Sequence, residues 1–417
     1  MDNQYIVATF HNFFLYFASI LYEAMPWVVL GAVLAGIVQE IPPRRAPAVM
    51  LALSAIIVTL FVSPFGIAAA YGYVSLAPVA VTVCDWVFAL ALGAAVFAGL
   101  VALQPAVDHS MGFLGRHRYL SIVLCGLLGL VIPMCECGII PLTRRLLRKG
   151  LPISCCVTFI LSGPIINVVV LMTTYVAFHA REVQAATNGP TAFQKSGQMG
   201  GLMMLGCRAL LGFVVAVVTG FVAERLARKY GAALLTGMAS DKKAMGEEEA
   251  VREDEADQDF SALPWRKRLG NITDTALHDF VDITVFLIVG ALIAAAAKVA
   301  ISPDQIEQVS RNRPTFAIGI MMAFAFVVTL CSEADAFVAV NFDTLRPAAK
   351  LAFLVLGPML DFKLLFMYTR IFRPRLMWTI IVCVVVQVFV YSYVAHHLWE
   401  AHADRERAKV SAVEKSE

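Results

Sequence analysis

The sequence predicts an all-α polytopic membrane protein with about eight full spans, two shorter re-entrant or broken-helix segments and an inverted repeat. Three observations support this fold class. Of the 417 residues, 59% are hydrophobic and only 15% are charged. Apolar runs of about 20 residues, the length needed to cross a bilayer, recur along the chain. A stretch rich in helix-breaking residues also occurs twice, once in each half of the chain.

The first copy of this stretch, VIPMCECGIIPLTRRLLRKGLPISCCVTFILSGPIIN, covers residues 131–167. Adding 194 to these numbers leads, without a gap, to the second copy at residues 331–361. The matched positions are Cys137 with Cys331, Gly163-Pro164 with Gly357-Pro358, and Asn167 with Asp361. Paired Gly/Pro-interrupted segments in the two halves of a chain indicate the binding site of a transporter.

The predicted full spans are long apolar runs at residues 10–38, 47–63, 78–104, 153–178, 200–224, 276–298, 347–369 and 376–398. The apolar parts of 120–142 and 314–342 are too short to cross the membrane, which predicts re-entrant segments. The chain divides into a membrane half at 1–226, an acidic cytoplasmic linker at 227–275, a second membrane half at 276–399 and a charged tail at 400–417. We expect the linker to be disordered.

Basic residues set the predicted orientation, because Lys and Arg favour cytoplasmic loops. Arg116 and Arg118 precede the first short segment, and a basic cluster at 144–149 follows it. Both groups are cytoplasmic only if the segment enters the membrane and turns back, between Pro133 and Pro141. When membrane crossings are counted along the chain from this point, the two repeats have opposite topologies. Such an inverted repeat is expected to hold substrate near the membrane midplane.

Three cysteines are candidate ligands. All nine cysteines lie in or beside apolar runs, so we expect no disulfide framework. Cys135 and Cys137 lie two residues apart, and the repeat predicts that Cys331 approaches them. Three thiolates suit a soft trivalent metalloid or a soft metal ion. The alternative is that these small side chains only pack at a tight turn.

Acidic residues in the two motifs are candidates for proton or ion coupling, because ionisable groups at membrane depth are costly and usually functional. The candidates are Glu136, Glu333 and Asp335, with weaker ones at Glu23, Asp85, Asp279 and Asp282. Asn167 and Asp361 follow the two predicted helix breaks. They either hold substrate beside the exposed helix ends or cap the broken helices.

The segments CECGIIPL, RKGLP, FILSGPIIN, CSEADAFVAV and FLVLGPMLDFK resemble the predicted permease family that includes the organoarsenical efflux permeases. The resemblance covers roughly 120–178 and 276–370, and Glu136, two additional spans and the long acidic linker depart from it. It implies a polytopic inner-membrane permease, with some members exporting trivalent organoarsenicals. The motif positions that it adds to the candidate substrate site are Gly138, Pro141 and Ser332. The pairs Gly163-Pro164 and Gly357-Pro358 are candidates already because they interrupt the two matched apolar runs.

The sequence therefore predicts a multi-pass permease of the cell (inner) membrane that exports a small solute such as a trivalent organoarsenical. No nucleotide-binding motif of the Gly-rich Lys-Ser/Thr type occurs, so an ion gradient, with a proton as the default ion, is the expected energy source. No cofactor, enzymatic activity or nucleic-acid partner is expected. The alternatives are a membrane thiol oxidoreductase that uses Cys135 and Cys137, or a channel for a small polar solute or ion.

Overall fold

The computed structural model shows a helical protein throughout the part of the chain that it describes. The described residues are 3–40, 118–131, 134–148, 151–187, 200–235, 265–300, 314–328, 331–342 and 345–414. The predicted spans at 47–63 and 78–104, with Asp85, lie outside these residues. Within them there is no β-strand, and Leu235 and Phe372 form an isolated antiparallel bridge.

The described helices include several long ones and two groups of short ones, which lie around the two motifs. They are α1 Asn3–Glu40, α2 Arg118–Val131, α3 Glu136–Arg148, α4 Ile153–Ile166, α5 Val168–Thr187, α6 Gly201–Tyr230, α7 Trp265–Ala300, α8 Pro314–Val328, α9 Asp335–Val340, α10 Pro347–Met359, α11 Phe362–Ile371 and α12 Pro374–Glu414, with a 3₁₀ turn at Gly231–Leu234.

Five helical stretches in the described part are long and apolar enough to cross a membrane, which confirms the predicted all-α membrane class. They are Ile153–Val183, Gly201–Tyr230, Gly270–Ile293, Pro347–Ile371 and Pro374–Ala401, and each overlaps a predicted span. Helix α1 covers the predicted span at 10–38. Helices α2 and α8 have 14 and 15 residues, so both are as short as the sequence indicates.

The two broken spans form the centre of the molecule. In the apolar stretches of Ile153–Val183 and Pro347–Ile371, 78% and 83% of the residues are buried, whereas only 22% are buried in Pro374–Ala401. Helix α12 exposes a row of apolar side chains four residues apart, including Trp378, Val382 and Val386. Such a row is typical of a helix face in contact with lipid, so α12 lies at the periphery.

Both central spans break two to three residues after their Gly-Pro pair. Pro164 and Pro358 lie in the last turns of α4 and α10, where proline removes a backbone donor and weakens the helix. The chain then becomes extended at Asn167, and at Leu360 and Asp361. A new helix, α5 or α11, begins at the next residue in each case.

The two new helices are capped in the same way. The side-chain oxygen of Asn167 accepts a hydrogen bond from the Val170 amide at 2.8 Å, and Asp361 accepts one from the Leu364 amide at 2.5 Å. Each cap satisfies one of the free N–H groups at a helix start. Since Val170 and Leu364 are also 194 residues apart, positions that the sequence matches make the equivalent bond.

The remaining elements pack around the broken spans in matching pairs. Helix α2 packs on α4, as α8 packs on α10, and the long helices α6 and α12 cover the same two spans. The two short helices that contain the motifs, α3 and α9, each contact the broken span of the other half of the chain. Helix α3 contacts α11, and α9 contacts α5. The approach of α2 to α4 is close: a Cβ added to Gly129 would lie 2.8 Å from the backbone nitrogen of Gly163.

Three boundaries differ from those expected. Helix α3 begins at Glu136, so Pro141 lies inside a helix and not in the turn, and its missing N–H leaves the carbonyl of Cys137 without its helical partner. Helix α12 continues through the predicted tail to Glu414. Helices α6 and α7 extend into both ends of the predicted linker at 227–275, and its middle, 236–264, lies outside the described residues.

Candidate functional site

The first motif is attached to the first helix break. Met134 and Cys135 form a short non-helical segment that leads into α3. The Asn167 side-chain amide donates to the carbonyls of Met134, at 3.4 Å, and Gly163, at 3.1 Å. Asn167 therefore joins the cysteine motif to the end of α4 while its oxygen caps α5.

Two thiols and a carboxylate from the two motifs converge beside this segment. The Sγ atoms of Cys135 and Cys331 and a carboxylate oxygen of Glu136 all lie within 4.8 Å of one another, and the three residues are buried. The thiol of Cys137 interacts with that of Cys135 but lies outside this group of three atoms. Both motifs thus contribute to one site, with Glu136 in the place for which the sequence suggested a third thiol.

Lys363 at the start of α11 connects the second helix break electrostatically to the first motif. Its ammonium nitrogen lies 2.7 Å from Oε1 of Glu136 and 3.7 Å from Oδ2 of Asp361, and all three side chains are at most 4% exposed. The other carboxylate oxygen of Glu136, and Oδ2 of Asp361, accept no hydrogen bond from any described residue. Buried polar atoms of this kind are rare and indicate a site that a ligand, ion or proton can complete.

Arg208 of α6 forms a second buried ion pair. Its guanidinium donates to Oγ1 of Thr174 at 2.8 Å and to the carbonyl of Ser332 at 3.2 Å. One nitrogen also lies 3.7 Å from Oδ2 of Asp335. Arg208 and Asp335 are almost completely buried, so this cluster anchors the second motif to α5 and α6.

Two further carboxyl groups, those of Glu333 and Asp335, belong to the second motif. Glu333 accepts from the Cys331 thiol at 2.8 Å and from the Ser332 hydroxyl at 3.3 Å, and it is half-buried. Asp335 interacts electrostatically with Glu136, Glu333 and Asp361 as well as with Arg208. The described part of the centre thus brings carboxyl groups of both motifs together with Arg208 and Lys363. Ionisable groups buried at membrane depth are costly and usually functional.

The other predicted site residues surround this centre. Gly138, Pro141, Gly163, Pro164, Gly357 and Pro358 are all buried in α3, α4 and α10. A Cβ on Gly163 would clash with the Ile139 side chain, and one on Gly357 would lie 3.4 Å from Oδ2 of Asp335. The side chains of Glu23, Asp279 and Asp282, on α1 and α7, lie outside the described part of the structure.

Sequence reasoning missed the two cations, Arg208 and Lys363. Both occur inside predicted spans, at 200–224 and 347–369, where a charged residue is costly. That cost applies to basic residues in a span as well as to acidic ones. A search for basic residues in the same spans would have found Arg208, and Lys363 two positions after Asp361, although their partners lie far away in sequence.

Thiols and buried charges between two broken helices, in a molecule with several membrane-crossing helices, define a multi-pass membrane transporter. The family profile described as "Predicted permease" matches residues 79–191 and 185–397. The chain belongs to this predicted permease family, and it is a multi-pass protein of the cell membrane.

Two curated relatives align with this chain over most of their own length. The UPF0718 protein YcgR of Bacillus subtilis is 30% identical over 298 residues, which is 71% of this chain and 88% of the relative. A Streptococcus mutans protein named as a candidate two-component membrane permease complex subunit is 27% identical over 285 residues, or 67% of this chain and 81% of the relative. No solved structure matches the chain.

Proposed function

We propose that this permease is a secondary exporter of a thiophilic solute, such as a trivalent organoarsenical or a related soft metalloid or metal species. The observation that carries the proposal is the convergence of the Cys135 and Cys331 thiols with Glu136 in a buried centre. Thiolates prefer soft ions and metalloids over the hard cations that bind oxygen alone. Cys137, next to Cys135, can contribute a further thiol.

The same centre supplies groups for coupling to a proton gradient. Glu136 and Asp335 are buried, and each has a carboxylate oxygen that accepts no hydrogen bond from the described residues. Because protonation removes the cost of such a charge, these carboxyls are suited to carry a proton with each transport cycle. Glu333, which is half-buried beside Cys331, is the third member of this set.

The matching of the two repeats supports transport by alternating access. Each broken span is packed by one short helix and one long helix, and each motif helix contacts the broken span of the other repeat. In an inverted repeat, such halves can rock against each other around a fixed site near the midplane. Substrate held by Cys135 and Cys331 would then face one side of the membrane at a time.

Uptake into inverted membrane vesicles tests the proposal. With a trivalent organoarsenical as solute, we expect accumulation that depends on the chain and falls when an uncoupler removes the proton gradient. Cys135→Ser and Cys331→Ser should each reduce uptake at least tenfold, because serine is a hard ligand of nearly the same shape. Cys156→Ser is the matched control, since Cys156 is fully buried in α4 but outside the thiol group.

The alternative functions give different results in the same vesicles. A channel would equilibrate the solute without accumulating it, with or without the gradient. A thiol oxidoreductase would show no uptake, and its Cys135 and Cys137 would change oxidation state during turnover. If both Cys→Ser variants transport as well as the parent, the thiols only pack, and a polar solute held at Asn167 and Asp361 becomes the better candidate.

A second candidate concerns assembly and rests on the name of the Streptococcus mutans relative. We propose that this chain also acts as one of two components of a permease complex. Purification of the tagged chain in mild detergent from its native membrane should then yield a second membrane subunit at a fixed ratio. Full transport by the purified chain alone in liposomes would contradict this requirement.

A further inference from the structure

We propose that Lys363 is a built-in counter-ion that moves from Glu136 to Asp361 when a soft metal cation binds at Cys135, Cys331 and Glu136. The inference rests on the proposed function for the location of the site, and it deepens that function by naming a charged metal ion as the substrate class. A positively charged residue inside the substrate site then takes part in selecting the substrate.

The donor set favours a cation over a neutral metalloid compound. Two thiols suffice to bind a trivalent organoarsenical, and a carboxylate would add little to such a site. Here a carboxylate oxygen of Glu136 lies with both Sγ atoms inside a 4.8 Å group, and its Oε2 accepts no hydrogen bond from the described residues. A mixed sulfur and oxygen set of this kind suits a divalent ion such as zinc or cadmium.

Lys363 competes with such an ion for the same carboxylate. Its ammonium nitrogen lies 2.7 Å from Oε1 of Glu136, so a metal ion bound to Oε2 would face a like charge a few ångströms away. Repulsion at that distance is strong in a buried site, where water does not screen it. Lys363 and a bound metal ion therefore compete for the negative charge of Glu136, and each weakens the contact of the other with this carboxylate.

Asp361 provides the position to which Lys363 can move. Its Oδ1 caps α11 through the Leu364 amide, while its Oδ2 accepts no hydrogen bond from the described residues and lies 3.7 Å from the Lys363 nitrogen. A shift of about 1 Å shortens this separation to that of a normal charge-assisted hydrogen bond. Lys363 thus has two carboxylate partners within reach and binds one of them closely.

The exchange balances in atoms and charge. The metal ion forms bonds to two sulfur atoms and one carboxylate oxygen, and the two thiol protons leave to water. Lys363 keeps its proton and transfers its ion pair from Glu136 to Asp361. No oxidation or reduction takes place. Each bound ion therefore changes the contacts of α11, the second half of a broken span.

Cadmium binding to the purified full chain in lipid nanodiscs tests the proposal. The sulfur-to-cadmium charge-transfer absorption should titrate with the amplitude of two thiolates. Cys135→Ser and Cys331→Ser should each remove at least half of the signal. Cys137→Ser and the matched control Cys156→Ser should retain it, and Glu136→Gln should weaken binding about tenfold, as expected for the loss of one ligand.

Two further variants test the role of Lys363 itself. Lys363→Met removes the competing charge, so cadmium affinity should rise at least tenfold. Asp361→Asn removes the second partner of Lys363, so affinity should fall at least tenfold although Asp361 is not in the ligand group. Asparagine preserves the helix cap, as Asn167 does in the first repeat. In the Lys363→Met background, Asp361→Asn should change affinity less than threefold.

These outcomes decide the proposal. Equal or weaker binding by Lys363→Met, or unchanged binding by Asp361→Asn, would overturn it. If Lys363→Met does not fold, Asp361→Asn alone decides. No thiolate signal in the parent chain rejects the metal site and leaves organoarsenical export standing. Cadmium binding as expected, without transport of any thiophilic solute in vesicles, rejects the proposed function and the metal ion as a substrate, but leaves the movement of Lys363 on metal binding standing.

Discussion

Arg208 is the largest fully buried side chain in the described part of the molecule, and its contacts explain why a charge is tolerated there. It is bonded to Thr174 and to the Ser332 carbonyl, and it is paired with Asp335. Removing one member of a buried pair leaves the other charge without compensation. Its role is therefore to hold the second motif in position and not to contact the thiols.

We predict that Arg208→Met destabilises the protein by about 3–5 kcal/mol, because Asp335 is left buried and unpaired. The double variant Arg208→Met/Asp335→Asn removes both charges and should recover most of that loss. The loss and its recovery are both measured by thermal unfolding in detergent, with the amount of monodisperse protein that remains as the readout. A double variant no more stable than Arg208→Met would show that the ion pair does not carry the effect.

At this scale the sequence identified the cysteines and carboxylates of the centre but not their partners. Cys135, Glu136 and Cys331 were predictable because thiols and acids inside apolar runs are conspicuous. The contact of Lys363 with Glu136 joins positions 227 residues apart, and the Arg208 contact with Ser332 joins positions 124 apart. Such pairs depend on how the helices cross, which composition and local spacing do not specify.

At the scale of single elements, the two helix breaks are the features that the sequence predicted best. A Gly-Pro pair inside an apolar run removes a backbone donor and a side chain at adjacent positions, so the break is a local property. Its capping by Asn167 and Asp361 is also local, since each side chain reaches the amide three residues later. The extent of α3 was not predictable, because Pro141 suggested a turn where tertiary packing maintains a helix.

We predict that Gly163→Leu and Gly357→Leu each abolish transport but still permit membrane insertion. Leucine at 163 would push against Ile139 of α3, and leucine at 357 would displace the Asp335 carboxylate. Gly206→Leu is the control, because no atom lies within 4 Å of a Cβ added there. Vesicle uptake and quantified membrane protein measure the two effects. Normal uptake by both variants would show that these glycines have no part in the transport cycle.

At the scale of the whole molecule, polar contacts lie at the starts of both α4 and α10. Glu224, near the end of α6, accepts from Ser154 at the start of α4 at 2.8 Å. Glu400 of α12 is paired with Arg346, just before α10. In an inverted repeat these contacts lie on opposite faces of the membrane. We therefore expect the two motifs to enter the shared site from opposite faces of the membrane.

Cysteine-accessibility labelling at two matched positions tests that claim most directly. Pro152 and Arg346 are 194 residues apart, precede α4 and α10, and are both exposed. Losing the exposed Arg346–Glu400 pair costs only about 0–1 kcal/mol, so both Cys variants should fold. With the native cysteines replaced or blocked, we expect an impermeant maleimide to label position 346 in intact cells and position 152 only in inverted vesicles. Labelling of both positions from the same side would contradict the inverted repeat.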